Sequence, residues 1–354
     1  MNVRVAKYLM VLVTPLLVLV SLTGSHWLTF LAPLVLFGLL PLLELFTDGS
    51  TDNLTAMEEE MAKADRRYDM ILYVLVPLQY ILLVIFLLRI SQGSLSTLET
   101  TGLVLSMGMA CGILGINAAH ELGHRSTGYE QTMSKMLLLT SLYMHFFIEH
   151  NRGHHRHVST DADPASARKG EWVYTFYFRT IIGSWFSAWK LEKEKLNKQG
   201  RAFWSFHNEM LRFQMIQIAL LVSIAIVFNL QTMLLFASAA FIGILLLETV
   251  NYIEHYGLRR KLVNGKYERT MPVHSWNSNH PLGRLMLLEL SRHSDHHYQA
   301  SRKYQILRHF DDSPQMPTGY PGMIILALFP PLWFYVMNKQ VHQFQESQQG
   351  AILG

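Results

Sequence analysis

The residues of this sequence best suited to chemistry are nine of its 17 histidines, which fall into four short clusters. In three of the clusters the spacing brings the imidazoles to neighbouring positions of a helix, where they can reach a common metal ion. The fourth contains only His255, at the end of an apolar run, where a single histidine is also typical of a helix cap; it is included because it is expected on the same side of the membrane as the other three. Neither a solvated loop nor core packing accounts for such repetition. The nine predicted metal ligands are His120 and His124, then His150, His154 and His155, then His255, and finally His293, His296 and His297.

The number of imidazoles predicts two metal ions. Zinc takes about four ligands, so nine imidazoles exceed what one zinc ion can use. Imidazole ligands without thiolates suit iron, copper or zinc. Redox-active iron also needs open positions for dioxygen, and nine nitrogens shared between two metals leave such positions.

The first cluster has a second interpretation when it is taken alone. The stretch His120-Glu121-Leu122-Gly123-His124 matches HExxH, the zinc metalloprotease signature in which the glutamate is the general base. A zinc intramembrane protease is therefore one alternative. A metal transporter with histidine-rich loops is another, but it needs ionisable residues through several apolar segments, where only Glu248 and Glu44 come near.

Composition places the chain in a membrane. Half of the residues are hydrophobic and 16% are charged, against about 25% charged residues in soluble domains. The net charge of +4 comes from basic residues that flank apolar runs, which indicates membrane topology and no nucleic-acid partner. Cys111 is the only cysteine, so no four-thiolate iron site can be built within this chain and any such electron carrier is a separate protein.

Six apolar runs reach the roughly 20 residues that a spanning helix needs. The runs form three hairpins with very short connections. The sequence thus predicts an all-α integral membrane protein, a single domain over residues 1–354, with a histidine-rich cap. The predicted spans are 8–23, 27–46, 69–90, 97–119, 211–230 and 232–253, the cap is 120–210 and 254–340, and a polar, frayed tail covers 341–354.

Charge asymmetry predicts the orientation of the spans. The hairpin tips contain no Lys or Arg, whereas the opposite ends are basic. By the positive-inside rule, both termini and the histidine clusters lie in the cytoplasm. Residues 172–189, rich in Trp and Tyr, are typical of an amphipathic segment at the headgroup level.

The four clusters together resemble the membrane alkane 1-monooxygenase family, in the desaturase-like superfamily of membrane diiron proteins. The family pattern HE-[LM]-GH, EHN-x-GHH, NYIEHYGL and RHSDHH occurs in order at 120–124, 149–155, 251–258 and 292–297. The third stretch is the discriminating one, and the resemblance extends from the first span to about residue 337.

The resemblance implies a non-haem diiron centre that uses O2 to hydroxylate the terminal carbon of medium- or long-chain n-alkanes to 1-alkanols. It also implies electrons from rubredoxin, either a separate protein or a missing fusion domain, which an NADH-dependent reductase reduces. The implied location is the bacterial inner membrane. A membrane lipid desaturase or fatty-acyl hydroxylase with the same iron chemistry is the closest alternative, and product analysis separates the two.

Further residues are predicted to handle substrate and protons. An alkane is recognised only by apolar burial, at about 0.8 kcal/mol per CH₂. Leu36, Leu39 and Leu43 occur at i, i+3 and i+7 of the second span and are predicted to line a substrate tunnel. Glu248, a carboxylate inside the sixth span, and Asp295, inside the last cluster, are the predicted catalytic residues.

Other polar residues near the clusters are predicted to support them. Acidic residues predicted to orient the ligating imidazoles are Glu121, Glu149, Asp161, Asp163, Glu254 and Asp295, with His274, Asn277, Asn279 and His280 as a supporting shell. Basic residues predicted to dock an acidic rubredoxin are Arg152, Arg156, Lys169, Arg259, Arg260 and Lys261. His145, His207, His309 and His342 are predicted to be dispensable for metal binding.

Overall fold

The computed structural model describes residues 3–353 and confirms the predicted class. Within that range, six helices are long and apolar enough to cross a membrane. They are α1 (Arg4–Thr23), α2 (His26–Glu44), α4 (Arg66–Ile90), α5 (Thr97–Gly123), α9 (Glu209–Val227) and α10 (Leu230–His255). The fourth span continues through the first histidine cluster, and the sixth ends on His255, so both deliver ligating side chains to one end of the bundle, here called the histidine end.

Local signals explain where these helices begin. Ser96 and Glu99 form a capping box at the start of α5, each satisfying a free backbone N–H of the first turn. Asn229 caps α10 by accepting from the N–H of Thr232, and the connection from α9 is correspondingly short. The second hairpin closes through Ser91 and Gln92 in a comparable tight turn.

The shorter elements lie between and after the spans. Between the spans lie α3 (Ala56–Ala64), α6 (Gly128–Thr140), α7 (Phe146–Glu149, continued by His150–His154 and His155–His157) and α8 (Val173–Lys198). After α10 come the hairpin β1 (Leu262–Val263) and β2 (Lys266–Tyr267), then α11 (Pro281–Met286), α12 (His293–Tyr298), α13 (Tyr320–Ala327) and α14 (Pro330–Leu353).

The end of the chain differs from the prediction. The tail was expected to fray, but α14 starts at Pro330 and remains helical to Leu353. Proline is favourable in the first helical turn, where its missing N–H would have no partner. The residues between 337 and 349 include neither Gly nor Pro and are rich in glutamine, which propagates a helix well.

Three of the helices contain a π-helical turn. These turns lie at Val35–Leu39 in α2, Cys111–Asn117 in α5 and His150–His154 in α7. A π turn bonds residue i to i+5, and it therefore rotates everything that follows relative to an ideal α-helix. All three turns lie close to the histidine clusters or to the apolar cavity described below.

Glycines allow α5 and α10 to touch along their backbones. A Cβ at Gly243 would lie 2.6 Å from the Cβ of Cys111, and a Cβ at Gly108 would lie 2.5 Å from Cγ2 of Ile242. Small residues are the usual means of close helix packing in membranes. The contact fixes the two helices whose ends carry the first and third histidine clusters.

We expect Gly243→Ala to lower the free energy of unfolding by about 1–3 kcal/mol, because the added methyl group forces the two backbones apart. Gly38→Ala is the matched control in another span, since a Cβ there meets nothing within 4 Å. Thermal unfolding in detergent compares the two variants. Equal stability of the two proteins would show that the α5–α10 contact can relax without cost.

The second span is tied to the C-terminal half by a buried carboxylate. Oε1 of Glu44 accepts a hydrogen bond of 2.7 Å from the backbone N–H of Gly283. A Cβ at Gly319 would overlap the same carboxylate, so a larger residue there would displace the Glu44 side chain. Similarly, the hydroxyl of Tyr8 in α1 donates to Oε1 of Glu289 at 2.8 Å. The first hairpin thus holds the segment that leads into α12.

Candidate metal centre

The nine clustered histidines converge into two adjacent groups at the histidine end. Ligand atoms in each group all lie within 4.8 Å of one another. The five-imidazole group consists of His120, His124, His150, His155 and His296, and the four-imidazole group consists of His154, His255, His293 and His297. The groups abut, because the ring centroids of His155 and His297 are 4.5 Å apart.

The π turn in α7 decides how its three histidines are divided. In an ideal α-helix, residues i and i+4 share a face, which would pair His150 with His154. The π turn instead brings i and i+5 together, and Nε2 of His150 lies 3.1 Å from Nε2 of His155. His154 points to the other group, so one short helix supplies ligands to both.

The distances within each group fit a bound cation. Nε2 of His296 lies 2.9 Å from Nε2 of His120 and 3.0 Å from Nε2 of His155. Nε2 of His297 lies 2.9 Å from His293 and 3.2 Å from His154. Two ligands at right angles, each about 2.1 Å from a metal, are themselves about 3 Å apart. A ring nitrogen holds one proton or one lone pair, so a cation at the centre satisfies these contacts better than hydrogen bonds do.

Burial prepares the rings as neutral ligands. Desolvation lowers the pKa of His124 to about 3 and holds the pKa of His296 and His297 well below 6.5. A metal ligand must be deprotonated, and metal binding otherwise has to release the proton. These three imidazoles are therefore uncharged at neutral pH and ready to bind.

Asp163 orients one of the ligating rings. Its Oδ2 lies 2.9 Å from Nδ1 of His154 and accepts from the hydroxyl of Ser166, with both His154 and Asp163 buried. Burial disfavours a charged ring, but the carboxylate outweighs burial and raises the pKa of His154. A carboxylate at the far nitrogen fixes the tautomer and makes the ring a stronger ligand.

We expect Asp163→Asn to weaken metal binding by the four-imidazole group about 10- to 100-fold, the usual effect of losing such a partner. Asp161→Asn is the control, because Asp161 lies two residues away on the surface. Competition with a chelator measures both. An unchanged affinity in Asp163→Asn would mean that packing alone orients His154.

Glu254 also reaches the four-imidazole group. Its Oε2 lies 3.2 Å from Nε2 of His293, and its Oε1 accepts from the hydroxyl of Tyr320 at 2.7 Å. The sequence placed Glu254 among residues that orient imidazoles through their outer nitrogens. The structure places it instead beside a nitrogen that points into the group. Tyr320, which holds the carboxylate, was not among the residues that the sequence predicted for the site.

The two predicted catalytic carboxylates do not contact any of the nine imidazoles. Glu248 accepts hydrogen bonds from Tyr143, Thr180 and Asn251. This network satisfies the buried carboxylate and ties α10 to α8 and to the segment before α7. Asp295 points away from the metal groups, pairs with Arg302 at 2.7 Å and accepts from the backbone of Arg308. Both carboxylates therefore support the elements that carry ligands.

Most of the other predicted supporting residues also act at a distance from the rings. Glu121 binds Arg125 and the N–H of Tyr304, Glu149 accepts from Ser187, and Asp161 is exposed. Asn277 acts next to a ligand: its side chain accepts from the N–H of Ser294 and donates to the Ser294 hydroxyl, which fixes the start of α12 directly beside His293. The remaining residues of this set lie outside both groups, namely His274, His280 and Asn279, as do the four histidines predicted to be dispensable, His145, His207, His309 and His342.

A narrow apolar cavity of about 80 Å³ leads to the imidazoles. Leu36, Leu40 and Gly112 line its remote part, whereas His120, His150 and His293 lie at its inner end. The polar groups along it are few, so an apolar chain can occupy it without leaving hydrogen bonds unmade.

The three leucines of the predicted stripe differ in their position relative to this cavity. Leu36 is 3% exposed and lines the cavity, but Leu39 and Leu43 are 50% and 46% exposed and lie outside it. The π turn at Val35–Leu39 explains the difference, because it shifts the register of α2 and brings Leu40 to the cavity in place of Leu39.

These features define a multi-pass membrane protein with two adjacent imidazole groups, each of which could hold a metal ion. The sequence profile of the fatty acid desaturase family matches residues 97–327. Alkane 1-monooxygenase 1 of Alcanivorax borkumensis is 40% identical over 329 residues, which is 93% of this chain and 81% of that protein.

Two further relatives also match most of the chain. The alkane 1-monooxygenase of Acinetobacter baylyi is 41% identical over 88% of this chain and 76% of its own length. The xylene/toluene monooxygenase hydroxylase component of Pseudomonas putida is 26% identical over 77% of this chain and 73% of its own length. The chain belongs to the alkane 1-monooxygenase family, within the wider fatty acid desaturase family.

Proposed function

We propose that this protein is an alkane 1-monooxygenase, which uses O2 to convert medium- or long-chain n-alkanes to 1-alkanols. Residues 1–354 act as one hydroxylase domain. The observation that carries the proposal is the narrow apolar cavity that ends at two groups of imidazoles. A site of this shape presents the end of an unbranched chain to metal ions, and the names of the relatives describe the same activity.

The proposed cofactor is a pair of non-haem iron ions, one in each imidazole group. When bound, iron supplies the activation of O2 and the attack on the terminal C–H bond. The overall reaction consumes an alkane, O2, two electrons and two protons, and it yields a 1-alkanol and water. The chain itself holds the alkane in register, since Leu36 and Leu40 bound the cavity, while Asp163 keeps His154 in its ligating orientation.

Electrons are proposed to come from a rubredoxin that an NADH-dependent reductase reduces. The single cysteine of the chain cannot build a thiolate iron centre. Of the six basic residues considered for docking, Arg152 is paired with Glu192 and Arg260 is bound to the backbone oxygen of Glu268. Four exposed cations remain to attract an acidic partner: Arg156, Lys169, Arg259 and Lys261. The proposed orientation is in the bacterial inner membrane with the histidine end in the cytoplasm.

The protease alternative is disfavoured by the environment of Glu121. A general base must reach a metal-bound water, but this carboxylate binds Arg125 at 2.7 Å and the N–H of Tyr304 at 3.2 Å. Both hydrogen bonds fall on Oε1 of Glu121, so this carboxylate holds Arg125 and the Tyr304 backbone in place.

The test combines metal analysis with product analysis. We expect about two iron ions per chain and conversion of octane to 1-octanol when rubredoxin, its reductase and NADH are supplied together. NADH alone should give no product, because the sequence has no glycine-rich dinucleotide fingerprint in a strand–helix setting. One zinc ion with no iron, or modification of acyl chains without any alkanol, would contradict the proposal.

A further inference from the structure

A second apolar groove, here called the lateral groove, lies on the outside of the bundle where α8 and α13 cross α10. It has a volume of about 530 Å³. Its walls include Phe178 and Ile182 of α8, Phe241 and Leu245 of α10, and Leu328, which directly follows α13. The groove is separate from the candidate metal centre, because none of the nine histidines lines it.

The lateral groove lies at the depth of the lipid chains. At 1.5 Å per residue, Phe241 is roughly 21 Å along α10 from His255, and Thr249 is roughly 9 Å from it. The α8 wall continues outward as exposed apolar side chains at every fourth position: Tyr174, Phe178, Ile182 and Phe186 are 46%, 73%, 54% and 62% exposed. Such a stripe on a helix lies against lipid, so the groove opens toward hydrocarbon.

The hydroxyl groups that line the groove form hydrogen bonds with one another or with the backbone of other lining residues. The hydroxyls of Tyr177 and Thr249 are 2.5 Å apart, and Thr249 also donates to the backbone oxygen of Leu245 at 2.6 Å. The hydroxyl of Tyr174 donates to the backbone oxygen of Leu328 at 2.7 Å. An occupant therefore finds no unmet hydrogen bond, which suits a hydrocarbon and penalises a polar ligand.

The lateral groove and the cavity that reaches the imidazoles share two lining side chains. Leu246 and Ile324 line both spaces. Leu246 is half-buried and packs over Gly112, where a Cβ would lie 3.1 Å from Cδ1 of Leu246. Both side chains are apolar, so a change of rotamer at Leu246 or Ile324 breaks no side-chain hydrogen bond between the two spaces.

We infer that the lateral groove is the site at which an n-alkane enters from the bilayer, before its end passes between Leu246 and Ile324 toward the metal centre. This inference rests on the proposed function. Lipid tails are as apolar as leucine, so moving an alkane from the bilayer into the groove changes its free energy little. The groove therefore holds the chain loosely and passes it on without trapping it.

Filling the groove without touching the inner cavity tests the route. Leu245→Trp places a large ring in the groove, because Leu245 lines the groove and not the cavity. We expect kcat/KM for hexadecane to fall about tenfold with iron content unchanged and kcat at saturation largely kept, the signature of a lost entry step. Leu234→Trp is the control on the same helix, at a lipid-exposed position away from the groove.

A second measurement does not depend on turnover. Cys111 is fully buried, so an alkyl methanethiosulfonate in lipid nanodiscs should label only an introduced cysteine. We expect dodecane to slow labelling of Ile182→Cys, in the groove, and to leave Ile218→Cys unaffected; the two native side chains are 54% and 59% exposed. Labelled Ile182→Cys should lose most of its kcat/KM and regain it when a reductant removes the alkyl group.

The outcomes separate the two levels of the proposal. If wild-type enzyme makes 1-octanol but Leu245→Trp keeps its kcat/KM and dodecane protects neither cysteine, the entry site is elsewhere and the hydroxylase function stands. If the wild-type enzyme makes no alkanol under the same conditions, the proposed function itself is wrong. Protection of Ile182→Cys together with the Leu245→Trp defect supports the groove.

Discussion

His296→Ala and His297→Ala should each abolish hydroxylation while removing metal from different groups. His296 belongs to the five-imidazole group and His297 to the four-imidazole group. Losing a carboxylate partner behind a ligand already costs 10- to 100-fold, so removal of a ligand should reduce activity by more than about a hundredfold. Iron content should fall by about half in each variant, because the other group keeps all its ligands.

Quantification of iron beside the octane assay checks this expectation. His342→Ala is the control: His342 is an exposed residue of α14 that pairs with Glu346, and its loss should leave both iron content and turnover intact. Full activity of either cluster variant would remove that histidine from the ligand set. Loss of all iron from both variants would mean instead that the two sites bind metal cooperatively.

Leu36→Trp should shorten the alkane that the enzyme accepts. Leu36 is buried and lines the remote part of the cavity, so an indole there takes the place of the tail of a long substrate. Each excluded CH₂ forfeits about 0.8 kcal/mol of burial, or roughly fourfold in binding. The ratio of octane to hexadecane turnover should therefore rise steeply, while turnover of the shortest alkanes survives.

Leu39→Trp provides a matched comparison three residues along the same helix. Leu39 is 50% exposed and lies outside the cavity, so its replacement should leave the chain-length ratio unchanged. Measuring turnover of octane and hexadecane by both variants shows whether the chain-length ratio depends on the cavity. An unaltered ratio in Leu36→Trp would show that the substrate runs elsewhere, without affecting the assignment of the metal groups.

The spans could be predicted from the sequence because hydropathy and length are local properties. The predicted 97–119 and 232–253 correspond to Thr97–Gly123 and Leu230–His255. Both helices continue into the histidine clusters past their apolar parts, and the second also begins two residues earlier than predicted, directly after the Asn229 cap. The convergence of the four clusters was likewise predictable, since all four were expected at one side of the membrane. The division of the histidines into groups of five and four was not.

The obstacle to predicting the site in detail is the π-helical turn. Spacing arguments assume 3.6 residues per turn, and that assumption fails at His150–His154 and at Val35–Leu39. At the first turn His150 lies beside His155, which the sequence spacing did not predict, and at the second Leu40 lines the cavity while Leu39 does not. An extra residue in a helix turn depends on tertiary contacts, which a single sequence does not display.

Glu248 illustrates a different limit. A carboxylate inside a span is a reasonable functional hypothesis, but its partners come from distant parts of the chain. Tyr143 and Thr180 precede Glu248 by 105 and 68 residues and saturate the carboxylate together with nearby Asn251. Nothing local in the sequence distinguishes such a structural network from an acid that serves the reaction.

The five-imidazole group has a consequence for biosynthesis. Its last member, His296, is 176 residues beyond His120. At 5–20 residues per second, the ribosome needs roughly 9–35 s to cover that interval. Throughout it, the nascent chain carries a partial set of imidazoles, and a set of about four suits zinc as well as iron. Affinity alone does not favour ferrous iron over zinc. We therefore expect the metal content of the purified protein to follow the supply of each ion in the cell while the chain is being made.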